Sequence, residues 1–251
     1  MSFAVGPDGG PGYSGPEGYT YAAVLLDAGS ASRASVLPVL ASLRFSGWVA
    51  PDGEDWLVVV PASVPGACAA RRAGVVEVAA ALAARLGGAV VAVRVVSDRQ
   101  LLLVGWRDGE ELGRYLSDPS YGLGPDDDTL PEPYGVSLAP ELATACGRPD
   151  AADALTAELS HDIDPEHFIE SERLGRILGL LGWPEWLVSV SSLPRRVPLG
   201  PASFLRLGYG RPGWVGFGLG LVAGVVRRRR PPPPAVTDAP RATQMIDPWL
   251  M

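Results

Sequence analysis

Short continuous apolar runs alternate with segments of helical apolar spacing between residues 19 and 120, and this order constrains the fold more than any motif. The helical segments extend from Ser32, a predicted N-cap, to about Phe45 and from Val75 to Leu86. The continuous runs, which are typical of buried strands, are Tyr21–Leu26, Trp48–Ala50, Trp56–Val60 and Ala89–Val96. The resulting β-α-β-β-α-β order predicts an α+β fold of the ferredoxin-like or split βαβ type, with helices on one face of an antiparallel sheet.

The chain beyond the fourth strand is predicted to add a hairpin to this sheet and then to become mostly helical. Arg107-Asp-Gly-Glu110 is a turn signal between the apolar segments 101–106 and 112–116. Helices are expected at Ala151–Ser160 and at Pro165–Leu181, the second with Asp164 as its N-cap. Its buried stripe would comprise Phe168, Ile169, Leu174, Ile177, Leu178 and Leu181.

These patterns divide the chain into five predicted parts. Residues 1–18 form a flexible Gly/Pro-rich leader, and residues 19–120 form the α+β domain. Residues 121–149 form an acidic, proline-rich loop or linker. Residues 150–226 form a helical region with a glycine-rich apolar segment packed on the body, and residues 227–251 form a disordered Arg/Pro-rich tail.

Two parts of the chain together resemble a loosely defined group of uncharacterised bacterial proteins. The first part is the strand Val91–Asp98 with the Arg-Asp-Gly hairpin and the Tyr115–Tyr121 loop, and the second is Glu172–Pro184 with its "RL…LG-x-P" pattern. The resemblance covers about residues 20–190. This chain departs from the group's pattern at Trp106, where a tyrosine is usual, and in the acidic residue of the strand, which is shifted to Asp98. The resemblance supports the predicted fold and implies no activity.

Acidic and basic residues are segregated along the chain. Residues 1–172 contain 25 Asp and Glu against 10 Arg, whereas residues 173–251 contain 11 Arg against 3 Asp and Glu, for an overall net charge of −7. An acidic body with a cationic tail disfavours nucleic acid as the partner. The first residues carry no secretory signal and the chain has only two cysteines, so we expect a cytoplasmic protein with free thiols.

The most apolar segment, Trp214–Val226, is followed by four consecutive arginines, Arg227, Arg228, Arg229 and Arg230. Four of its thirteen residues are glycine, which disfavours a helix, so we expect a final strand packed on the body. The alternative is a segment that inserts shallowly into a membrane, because about 20 Å of helix is too short to span a hydrocarbon core of roughly 30 Å. In either case Trp214, Phe217 and the four arginines are the predicted contact residues for a partner or a membrane.

Both histidines of the chain lie in His161-Asp-Ile-Asp-Pro-Glu-His167. His161, Asp164 and His167 could ligate a divalent metal. The simpler interpretation is that Asp164 caps the following helix and Glu166 complements its dipole, because the two histidines lack the i, i+4 spacing of a helical metal site. We predict no catalytic residue and no cofactor.

These observations predict a non-enzymatic cytoplasmic binding or regulatory protein that contacts a protein partner through its basic C-terminal tail. A peripheral membrane protein anchored by residues 204–230 on an anionic membrane surface, at the inner face of the membrane, is the second hypothesis. A metal-dependent enzyme that uses the His161–His167 region is the third.

Overall fold

The computed structural model describes residues 18–62, 66–124, 127–161, 169–192, 203–228 and 232–242. The strands are β1 (Tyr21–Asp27), β2 (Gly47–Val49), β3 (Trp56–Pro61), β4 (Ala89–Val96), β5 (Gln100–Arg107), β6 (Glu110–Leu116), β7 (Leu205–Gly208) and β8 (Arg211–Pro212). The α-helices are α1 (Arg33–Ser42), α2 (Val75–Leu86), α3 (Ala139–Ala145), α4 (Ala152–Ser160), α5 (Glu170–Leu181) and α6 (Gly213–Arg228). Four 3₁₀ segments, Ala70–Arg72, Val136–Leu138, Pro149–Ala151 and Glu185–Ser192, join these elements.

The described strands form one sheet of eight in the order β6-β5-β4-β1-β3-β2-β7-β8. Every pairing is antiparallel, including β1 with β3 and β4, and β3 with β2. The strands β1 and β2, which α1 connects, therefore run in the same direction with β3 between them. The predicted α+β class is confirmed, and β7 and β8 extend the sheet at its β2 edge, opposite the predicted hairpin β5–β6.

Helices cover both faces of this sheet. One face packs on α1 and α2 through residues such as Leu40 and Leu82. The other packs on α3, α4 and α5 through residues such as Leu142, Leu155 and Leu178. A strand that is buried on both faces needs apolar residues at every position, which is why β1, β3 and β4 appear in the sequence as continuous apolar runs.

The first two helices begin where the sequence predicts, for reasons visible in their caps. Ser32 caps α1 through a reciprocal pair of hydrogen bonds between Ser32 and Ser35. Gly74 precedes α2, where the Glu77 carboxylate accepts a hydrogen bond from the Gly74 amide at 2.7 Å. Both helices therefore start at residues with the expected capping chemistry.

The start of α5 differs from the prediction. Ile169 has extended backbone angles (φ −110°, ψ 123°), so the helix begins at Glu170 and Asp164 is not its N-cap. The Glu170 amide donates to the Asp98 carbonyl at 3.0 Å, which fixes this end of α5 to the β4–β5 turn. Ile169 is 45% exposed, in contrast to its predicted burial. Phe168 and Asp164 lie outside the described residues.

Two further segments differ from the prediction. The predicted loop 121–149 contains α3, because Leu138, Leu142 and Ala143 find a buried place against the sheet. Residues 232–242 of the predicted tail follow the body: the Arg114 guanidinium donates to the Ala235 carbonyl and the Tyr134 hydroxyl to Asp238 at 2.6 Å. The remaining residues of that tail, 229–231 and 243–251, lie outside the described residues, as do residues 1–17 of the leader.

Candidate functional site

The segment Trp214–Val226, predicted as a strand, lies within the helix α6. The glycines that lower its helix propensity allow this packing, because some of them face β7 and β8 at a distance that leaves no room for a side chain. A Cβ atom at Gly216 would lie 1.8 Å from the Arg211 carbonyl oxygen, and one at Gly208 in β7 would lie 1.8 Å from the Gly216 oxygen. Helix and strand backbones are thus in direct contact.

The helical repeat gives α6 three faces. Gly216 and Gly220 face β7. Leu219 and Ala223, with Val222 and Val226, border a groove at the side of the helix. The third face points away from the body and includes Trp214, Leu221 and Val225.

The outward face and the groove side of α6 together carry an unusual amount of exposed apolar surface. Among the described residues, seven of the ten large hydrophobic side chains that are exposed lie in this one helix: Trp214, Val215, Leu219, Leu221, Val222, Val225 and Val226. Trp214 is 88% exposed. Contiguous apolar surface of this kind marks a place where a protein meets another apolar surface.

The predicted contact residues at the two ends of α6 have different environments. Trp214 projects into solvent, and its ring meets the half-buried Phe217 ring edge-on at 6.2 Å. The Arg206 guanidinium stacks between Phe217, at 4.6 Å from its ring centroid, and Trp48 at 5.6 Å. Arg227 and Arg228 end the helix, and their side chains, like Arg229 and Arg230, lie outside the described part of the chain.

A groove of about 1060 Å³ separates α6 from the ends of α1 and α2. One wall is the apolar side of α6. The opposite wall carries four arginines, and among the described residues no Asp or Glu lines the groove. The lining residues are Ser42, Leu43, Arg44, Ala67, Ala69, Ala70, Arg71, Arg72, Arg85, Tyr209, Leu219, Val222, Ala223 and Val226.

The four arginines come from three separate elements. Arg44 follows α1 and donates to the Tyr209 hydroxyl at 2.7 Å, with its guanidinium 5.2 Å from the centre of that ring. Arg85 lies in the last turn of α2 and donates to the Ser42 hydroxyl at 2.7 Å. Arg71 and Arg72 end the 3₁₀ segment before α2. All four side chains are exposed, so their charges face the groove and solvent.

Strained backbone is concentrated around this groove. Seven non-glycine residues of the described chain have positive φ, and four of them line the groove: Arg44 (54°), Arg71 (56°), Arg72 (63°) and Tyr209 (52°). This conformation destabilises a residue other than glycine by roughly 1–2 kcal/mol. Strain of this kind persists where the surrounding structure enforces it, and ligand clamps are a common location.

These four arginines are not recognisable as a site from the sequence alone. They lie up to 182 residues from the last residue of the groove, Val226, and only the fold brings them together. One local signal was present: Arg44 directly follows the C-cap of α1, a position that glycine usually occupies. The Arg71-Arg72 pair is the second signal, since paired arginines before a helix place two cations at one turn.

The predicted metal ligands are not brought together in the described structure. His161 is exposed at the end of α4, and its carbonyl accepts a hydrogen bond from Arg173 at 2.7 Å. Asp164 and His167 lie outside the described residues. Within those residues, no group of three or more His, Cys, Asp or Glu is placed to hold a metal ion.

A second polar cluster lies in the core, next to the start of α5. Glu170 and Arg173 are both fully buried, with 3.7 Å between the Arg173 Nε and the Glu170 Oε2. Arg173 donates to the Tyr115 hydroxyl at 2.5 Å. Burial raises the pKa of the Glu170 carboxyl to about 7, against the opposing effect of the Arg173 charge. The hydrogen bond from Arg173 to Tyr115 joins α5 to strand β6 of the sheet.

No protein family model matches the chain, and neither a curated protein nor a solved structure shows significant similarity to it. Of the helices in the described ranges, none has the length and apolar character needed to cross a membrane.

Proposed function

We propose that this protein binds peripherally to anionic membrane surfaces, with α6 as its membrane-contacting element. The observation that carries the proposal is the apolar surface of α6, where seven large apolar side chains on the outward face and the groove side are exposed next to a groove whose charged residues are all arginine. Helices of this kind lie in the plane of the membrane interface, with apolar residues among the acyl chains and cations at the headgroups.

The charges around α6 favour an anionic occupant. Residues 203–228 contain no Asp or Glu, and their cations are Arg206, Arg211, Arg227 and Arg228. The groove adds four more arginines on the same side of the molecule. A second copy of this chain would bring two such cationic surfaces together, so charge repulsion disfavours a dimer through α6.

The dimensions of α6 fit adsorption at the interface. A helix of sixteen residues is roughly 24 Å long, whereas the hydrocarbon core is roughly 30 Å thick. Gly216 and Gly220 also hold one side of the helix against β7, which leaves only the outward face for lipid. The acidic remainder of the chain would face away from an anionic leaflet.

Vesicle co-sedimentation tests this proposal. We expect the full chain to bind vesicles that contain phosphatidylglycerol, and to bind phosphatidylcholine vesicles much more weakly. Leu221→Asp places a charge on the outward face at a position that is already 57% exposed, so it should abolish vesicle binding and leave the fold intact. Leu123→Asp is the matched control, because Leu123 is 47% exposed and lies outside α6.

Two results would overturn the proposal. One is that Leu221→Asp and Leu123→Asp affect vesicle binding equally. The other is that the wild-type chain remains in the supernatant with anionic vesicles at low salt. In that case the α6 face would be assigned to a protein partner, the first of the functions that the sequence predicts.

A further inference from the structure

We infer that the arginine groove beside α6 is a binding site for the headgroup of a lipid that ends in a phosphomonoester. This inference rests on the proposed membrane function, since the membrane supplies the lipid, and it assigns a specific ligand class to a surface that would otherwise attract any anion. The groove has the size of a small-molecule site, at about 1060 Å³.

The polar wall of the groove fits a doubly charged phosphate. Arginine presents planar pairs of N–H donors that match phosphate oxygens, and four arginines here surround one space. A phosphomonoester carries up to two negative charges and three terminal oxygens, whereas a phosphodiester carries one charge. The number of cations therefore favours the monoester.

The apolar wall of the groove fits an acyl chain. Leu219 and Val222 face the arginines across the groove and continue into the outward face of α6. A lipid whose phosphate met Arg71 and Arg85 could place the start of its acyl chain along α6. A soluble phosphate ester would leave this apolar wall exposed to water.

The backbone strain supports a role for these arginine side chains in binding. Glycine would adopt the positive φ of Arg71 without steric cost, yet the chain carries an arginine there. Four groove-lining residues have positive φ, and each belongs to a tight turn or a helix end, so the groove arginines Arg44, Arg71 and Arg72 are held on short, well-defined turns of the backbone.

Titration calorimetry with monomeric short-chain lipids tests the groove separately from the vesicle surface. The probe is dihexanoyl phosphatidate below its micelle concentration, compared with dihexanoyl phosphatidylcholine and with glycerol 3-phosphate. We expect 1:1 binding of the phosphatidate, with affinity at least about tenfold higher than that of either comparison compound. The same titrations at two salt concentrations should show weaker binding at high salt.

Variants of the exposed arginines identify the site. Arg71→Ala and Arg85→Ala should each reduce phosphatidate affinity about tenfold or more, because each removes a charge-assisted hydrogen bond. Arg99→Ala is the matched control. Arg99 is exposed and lies in the turn that follows β4, at the opposite end of that strand from α2. Leu219→Ala should weaken phosphatidate binding severalfold and leave glycerol 3-phosphate binding unchanged.

The outcomes separate this inference from the proposed function. Equal affinity for phosphatidate and glycerol 3-phosphate would assign the groove to soluble phosphate esters and overturn the inference. If Arg99→Ala lost as much affinity for phosphatidate as Arg71→Ala, general charge attraction would explain the binding and the inference would be overturned. If vesicles bind and monomeric phosphatidate does not, the headgroup site is wrong and the membrane proposal stands. If the monomer binds and vesicles do not, the membrane proposal is wrong.

Discussion

Arginine at backbone positions suited to glycine is the most informative feature at the scale of single residues. Arg71 has a φ of 56°, and its side chain is exposed at the groove. An exposed side chain adds little to folding, so the strain at this residue is not offset by burial of its side chain. Replacement of Arg71 should therefore weaken binding and leave stability nearly unchanged.

Arg71→Gly should leave the free energy of unfolding within about 1 kcal/mol of wild type, because relief of strain offsets the greater freedom of glycine in the unfolded chain. Urea denaturation measures this difference. Arg99→Gly is the control: Arg99 has no positive φ, so the substitution should destabilise by roughly 0.5–1 kcal/mol. Destabilisation of Arg71→Gly by several kcal/mol would show that the arginine is structural.

Glu170 is the second residue whose environment makes a measurable prediction. Burial raises its pKa to about 7 in the folded protein, so the fold favours the protonated carboxyl. The folded state therefore binds more protons than the unfolded state between the ordinary pKa near 4.5 and about 7. The stability contributed by the protonated group is present below that window and is lost as the pH rises through it.

Glu170→Gln should remove this dependence on pH. Relative to the variant, the wild type should lose stability between pH 5 and pH 8 by an amount on the order of 3 kcal/mol. Chemical denaturation at several pH values measures both proteins. Glu141→Gln, on the exposed side of α3, should show the same pH profile as the wild type. A wild type that gains stability relative to Glu170→Gln as the pH rises would contradict the assignment.

At the scale of elements, the docking of α6 on β7 and β8 depends on glycine at particular positions of a glycine-rich helix. A Cβ atom at Gly216 would overlap the Arg211 carbonyl, whereas at Gly218 nothing lies within 4 Å. The two glycines are only two residues apart and belong to the same helix. They therefore form a matched pair with opposite expectations.

Gly216→Ala should displace α6 from the sheet, and Gly218→Ala should stabilise the helix by up to about 1 kcal/mol through helix propensity. Hydrogen exchange at the amides of α6 measures both effects: exchange should become faster in the first variant and slower in the second. Faster exchange in both variants would show that overall flexibility, rather than the contact with β7, controls the helix.

The contrast between predicted and unpredicted elements has a physical cause. The helix Val75–Leu86 and the strand Ala89–Val96 were predicted with the bounds that the structure has, because burial imposes a local repeat on their residues. The form of α6 could not be predicted in this way. Its glycines disfavour a helix in isolation, and they become useful through close contact with Gly208 and Arg211 of the preceding strands β7 and β8, which the repeat within the segment itself does not reveal.

The start of α5 could not be predicted from its local sequence either. Its apolar stripe from Leu174 to Leu181 was predicted and is buried, but the first helical residue was placed at Pro165 instead of Glu170. A hydrogen bond to Asp98, 72 residues earlier in the chain, fixes the actual start. Local capping chemistry could not reveal that contact.

At the scale of the whole molecule, the segregation of charge along the chain could be predicted. The position of the groove arginines next to the apolar side of α6 could not. The sequence predicts a contact region at Trp214, Phe217 and Arg227–Arg230. The groove arginines come from the acidic half of the chain, where they are outnumbered in sequence but placed together by the ends of α1 and α2. The groove arginines and α6 thus form a cationic side of the molecule, although the net charge of the whole chain is −7.

This polarity predicts that the position of a charge, more than its number, decides membrane binding. Replacement of Arg227–Arg230 by alanine should weaken binding to anionic vesicles by up to about 4 kcal/mol, since each cation near the surface contributes roughly 1 kcal/mol. The control replaces Arg99, Arg107, Arg148 and Arg176, which gives the same net charge. Because those arginines lie on the body, we expect a much smaller loss, and the difference between the two variants should disappear at high salt. Equal losses would show that attraction depends on net charge alone, and the oriented binding of this side of the molecule would then be wrong.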